Sequence, residues 1–69
     1  MNIEYLASVI GGVLDSLIDQ RAFAEVYERL PVAEKVLLIR GLRMKAHDLL
    51  QRDPMHHGAW LALRLSLSV

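Results

Sequence analysis

Apolar residues recur along the first stretch of the chain at Ile3, Leu6, Val9, Ile10, Val13, Leu14, Leu17 and Ile18. Steps of three and four residues wind such positions onto one face of a helix. Asn2 precedes the first of them and is a favourable N-cap, so the pattern predicts a helix 1 over about residues 2–18. The opposite face collects Glu4, Ser8, Gly11, Gly12, Asp15 and Asp19, which are acidic or small. Each glycine weakens a helix by roughly 1 kcal/mol relative to alanine. Ser8, Gly12 and Ser16 lie four apart, a line that either admits a close neighbour or faces solvent.

The apolar phase slips around Asp19-Gln20-Arg21, because Phe23, Val26 and Leu30 do not continue the first stripe. A short helix 2 is predicted over about 20–29, ending before Leu30-Pro31, where proline disfavours helical geometry in the preceding residue. One kinked helix through 2–29 is the alternative. Pro31 reads as the first residue of helix 3, which then runs to Arg52 with Leu38, Ile39, Leu42, Ala46, Leu49 and Leu50 on its core face. Asp53-Pro54 repeats that grammar, with Asp53 as N-cap and Pro54 opening a helix 4 over about 54–67. Leu61, Leu63, Leu65, Leu67 and Val69 alternate with smaller or polar residues, which is strand period. Leucine and alanine favour helix and the chain offers such a strand no partner, so helix is the expectation. A strand pairing across a dimer or onto another protein's sheet is the alternative. The fold class expected is all-α, a small bundle of three to four helices forming one domain over 1–69.

Size changes this picture. At 69 residues the core is marginal, and the chain has no cysteine to staple it. Yet 54% of the residues are hydrophobic and the mean hydropathy is +0.28, so apolar side chains must remain outside the monomer core. Such surface normally marks an interface, and a homodimer is the expected state. Eight basic residues balance eight acidic ones, which leaves no global field to draw the chain onto nucleic acid or anionic lipid. The start, Met1-Asn2-Ile3-Glu4, lacks the basic run of a secretory signal. The longest uncharged stretch, Tyr5 to Leu14, is ten residues, about half of a membrane span. A cytoplasmic protein is the simplest reading.

Helix 3 carries the best candidate for a binding site. Arg40, Arg43 and His47 share a flank at i, i+3, i+7 spacing, with Leu37, Gly41 and Met44 beside them. Methionine adapts to irregular surfaces and arginine pairs with carboxylates, so these six residues form the predicted partner-binding surface. Leu37 and Met44 have a second reading, as packing beneath helices 2 or 4. A helix-turn-helix-like DNA-binding regulator is the alternative function, with helix 3, Arg40, Arg43, Lys45 and Arg52 meeting phosphates. Glu34 and Asp48 interrupt that stripe.

Chemistry finds no foothold. His56 and His57 are adjacent, so on a helix they diverge by about 100° and cannot share one ion with Asp53 or His47 as an i, i+4 pair would. No nucleophile elbow occurs, and Gly11-Gly12 lies within an amphipathic stretch, not a phosphate loop after a strand. The expectation is a non-enzyme without metal or cofactor. Trp60 reads as a core anchor of helix 4 or, second, as an interface hot spot.

Leu49-Leu50-Gln51-Arg52-Asp53-Pro54 followed by Ala59-Trp60-Leu61 resembles the junction between tetratricopeptide repeats, over about 20 residues of a chain too short for an array. In size, helical pattern from Asn2 to Leu65 and lack of cysteine, the whole chain resembles the short helical antagonists that bacteriophages encode, anti-activators and anti-CRISPR proteins. That resemblance implies a homodimeric inhibitor that occupies a surface needed by a bacterial regulator or machine. It assigns no residue.

Overall fold

A computed structural model describes residues 2–68, so Met1 and Val69, the last position of the alternating tail, lie outside the described residues. The chain is all-α, with α1 at Ile3–Leu14, α2 at Gln20–Arg29, α3 at Val32–Arg52 and α4 at His57–Ser68. Among the described residues there is no strand, and the 61–68 stretch is helical. Among the described residues no helix is long and apolar enough to cross a membrane.

Helix α3 is the spine. Its Leu38, Leu42 and Ala46 are fully buried, and it packs on α1 and α4. Helix α1 contributes Leu6, Val9 and Val13, α2 inserts Phe23, and α4 brings Ala59, Ala62 and Leu65. The predicted core face of helix 3 is thus observed, with Ile39, Leu49 and Leu50 half-buried at its edges.

The first helix ends four residues before the predicted limit. Ser16 adopts φ 61°, the left-handed conformation, as the only non-glycine residue with positive φ among the described residues. Its N–H donates to the Val13 carbonyl at 3.1 Å, and the Leu17 N–H donates to the Gly12 carbonyl at 2.8 Å. Those two bonds make a Schellman cap, which satisfies carbonyls that the helix end leaves orphaned. Leu17 is consequently 81% exposed instead of continuing the stripe, while Ile18 folds back over Gly12. A Cβ on Gly12 would sit 2.5 Å from Ile18 Cδ1, so the glycine makes room for this reversal. The left-handed conformation disfavours any residue with a Cβ. Ser16→Gly is therefore expected to stabilise the protein by roughly 0.5–1 kcal/mol, after glycine's larger entropy loss is subtracted. Urea unfolding would register this as a raised midpoint with an unchanged slope.

Helices 1 and 2 are separate, and α2 has the predicted bounds. Asp19 caps it, accepting from the Ala22 N–H at 2.8 Å. Pro31 is the N-cap of α3, not its first helical residue, because its ψ of 157° is extended. The second proline departs further from expectation. Asp53-Pro54 forms a turn, closed by the His56 N–H on the Asp53 carbonyl at 3.0 Å and the Met55 N–H on Asp53 Oδ1 at 3.2 Å. Proline at the second position of a turn needs the same φ as proline opening a helix, so the two outcomes share one sequence grammar. His56 takes the capping role assigned to Asp53, with Nδ1 accepting from the Ala59 N–H at 3.0 Å, and α4 begins three residues late.

Trp60 is a correction as well. It is 54% exposed, and its indole N–H donates to the Pro54 carbonyl at 2.7 Å, which latches the turn instead of anchoring the core. The buried line of α4 runs through Gly58, Ala59, Ala62, Leu65 and Ser66.

Candidate interaction surfaces on either side of α3

The six predicted site residues do not form one surface. Leu37, Gly41 and Met44 face α1, where they border a shallow apolar groove. At one end Leu37 meets Ile3, Leu6, Ala7 and Ile10 around a hollow of about 220 Å³. At the other, Met44 and Gly41 meet Ile10, Lys45 and Asp48 around one of about 360 Å³. Ile10 joins the two, lying over Gly41, where a Cβ would come 2.5 Å from its Cδ1. The groove stays open: Met44 is 73% exposed, Ile3 67% and Leu37 38%. Neither Leu37 nor Met44 is packed beneath helices 2 or 4, so that reading is set aside.

Arg40 and Arg43 turn the other way, toward α2 and α4. They line a cleft with Lys35, Val32, Val36, Ile39, Tyr27 and Ser66. Arg43 donates through Nε to Ser66 Oγ at 3.3 Å and through Nη2 to the Ser66 carbonyl at 3.1 Å. That carbonyl belongs to the last turn of α4, where acceptors are orphaned and a cation complements the helix dipole. Arg43 therefore joins α3 to α4. Lys35 sits with its Nζ 5.2 Å from the Tyr27 ring centroid, a cation–π geometry, and Tyr27 in turn stacks on Phe23. His47 is exposed and lines neither opening.

The residues proposed from sequence for phosphate contact are spread in the same way. Arg40 and Arg43 lie on the cleft side, Lys45 on the groove side, and Arg52 is paired with Asp48. They make no single basic stripe. The histidine candidates are equally dispersed: His56 caps α4, His57 is exposed in its first turn, and His47 stands on α3. Among the described residues no three metal-ligating side chains converge.

Sequence reasoning missed the α1 wall of the groove. The signal was there, since Ile3, Ala7, Ile10 and Leu14 keep helical spacing beside the buried Leu6, Val9 and Val13. One broad apolar stripe was in fact two, one for the core and one for the groove. Lys35, Val36 and Tyr27 were also missed, because the cleft is assembled from three helices. The chain matches no protein-family model, no curated protein and no solved structure.

Proposed function

We propose that this chain is a non-enzymatic protein–protein interaction module, a homodimeric regulator that blocks a bacterial target protein by stoichiometric binding. The mode of action is that of the phage-encoded antagonists it resembles. One observation carries the reading: the groove between α1 and α3 leaves Ile3, Leu37 and Met44 in water although the chain has no core to spare. A lone domain of this size gains little from such exposure, whereas covering it supplies apolar burial at about 25 cal/mol per Å². A second copy is a suitable cover. A two-fold interface must complement itself, and the groove has Lys45 beside Asp48, whose carboxylate is shared with Arg52, so each copy presents both signs of charge along the seam.

Native mass spectrometry of the purified protein, alone and after capture from a bacterial lysate, tests this. The expected species are a dimer and a dimer holding one target in fixed ratio. A monomer that retains no protein overturns the reading. Retention of DNA with an affinity that collapses between low and moderate salt would replace it with the nucleic-acid alternative.

A further inference from the structure

The cleft on the far side of α3 has a different character from the groove. Lys35, Arg40 and Arg43 line it over a floor that includes Val36 and Ile39, in a space of about 380 Å³, and no acidic side chain is among its walls. Arg43 is already held by two hydrogen bonds to Ser66, and Lys35 lies over the Tyr27 ring, so two of the three cations have partners that orient them toward the cleft. The only ion pair among the described residues is Arg52 with Asp48, which lies elsewhere on α3. A chain of net charge zero thus concentrates three uncompensated cations around one apolar hollow.

We infer that this cleft binds an acidic amphipathic segment of a partner protein, whose apolar side chains fill the hollow while its carboxylates meet Lys35, Arg40 and Arg43. The inference rests on the proposed interaction role and gives the target site an address distinct from the dimer groove. Charge complementarity selects the class of partner. Arginine's planar fork suits carboxylates, and positions held in advance lose less entropy on pairing. A phosphodiester backbone would satisfy the cations yet leave Val36 and Ile39 uncovered, and Val36 is 48% exposed. A wholly apolar helix would strand three cations. Only a segment carrying both features matches both walls.

Selection from a random-peptide library on the immobilised protein, followed by fluorescence anisotropy of the selected peptides, tests the site. The expected result is enrichment of segments that alternate Asp or Glu with large apolar residues. Their binding should weaken about tenfold or more with Arg40→Glu, a side chain that lines the cleft and makes no side-chain hydrogen bond among the described residues, and weaken with rising salt. Val36→Asp should weaken it comparably, while Arg40→Lys retains most of it. Arg43 is left unchanged because it also secures α4. Enrichment without acidic residues, no enrichment, or insensitivity to Arg40→Glu overturns the inference. Displacement of the peptide by duplex DNA at equal charge concentration overturns it in favour of nucleic acid. Loss of the dimer in Arg40→Glu would place a second copy in the cleft and overturn it too. Because the peptides should bind a Leu37→Glu plus Met44→Glu variant unchanged, a failed cleft and a failed dimer groove give different results.

Discussion

Gly58→Ala is expected to leave the protein largely unfolded, while Gly11→Ala makes it more stable. Both glycines lie in helices, where propensity alone favours alanine by roughly 1 kcal/mol. Packing reverses the sign at one of them. Gly58 sits in the first turn of α4 directly on the end of α1, and a Cβ there would overlap the backbone carbonyl of Leu14. A backbone group has no rotamer by which to move aside, so α4 must lift away from α1 and disturb Val13 and Ala59, both fully buried. Overpacking typically costs about 1–3 kcal/mol and occasionally more, and a clash with rigid backbone belongs at the upper end of that range. A domain this small has only ~3–5 kcal/mol from its core. At Gly11 a Cβ meets nothing within 4 Å, so the helix-propensity gain is retained in full. Urea unfolding followed by circular dichroism, at one protein concentration, separates the two. A folded Gly58→Ala with a near-native midpoint would mean that α4 does not approach α1 this closely.

Leu37→Glu combined with Met44→Glu is expected to abolish dimerisation while the helices persist. Both side chains border the groove and neither belongs to the buried core, so the monomer accepts the carboxylates at its surface. In a two-fold dimer the same change brings four new negative charges together in a desolvated seam. Loss of affinity by about a hundredfold or more follows, from lost apolar contact and from like-charge repulsion. Collapse of the helical signal in this variant would instead place Leu37 and Met44 in the core.

Much of this fold was legible because helices report themselves locally. The slip of phase at Asp19 separated α1 from α2, and the four-residue spacing of Leu38, Leu42 and Ala46 located the spine. What failed depended on geometry that spacing does not encode. Proline at 54 fits a turn and a helix start equally, and only the Asp53 and Trp60 hydrogen bonds decide for the turn. The alternating leucines of the tail showed strand period although they lie on a short helix that is apolar around most of its circumference, with Ser66 buried and Leu67 exposed, so alternation there did not mark a strand. Trp60 was misplaced for the same reason. The sharpest omission is Gly58, whose importance comes from the end of a helix more than forty residues earlier in the chain.

The candidate site was legible in part. All six of its residues are on α3 as expected, but a helical flank read from sequence has no neighbours. The structure supplies them, giving Leu37, Gly41 and Met44 to an apolar groove with α1, and Arg40 and Arg43 to a basic cleft with α2 and α4.

Sedimentation equilibrium of the wild-type protein beside the Leu37→Glu plus Met44→Glu variant, with far-ultraviolet circular dichroism on the same samples, is the most direct test of the account. The expected result is a wild-type dimer and a variant monomer with equal helical signals. A wild-type protein that remains monomeric at high concentration, or a variant that stays dimeric, contradicts the assignment of the α1–α3 groove as the interface.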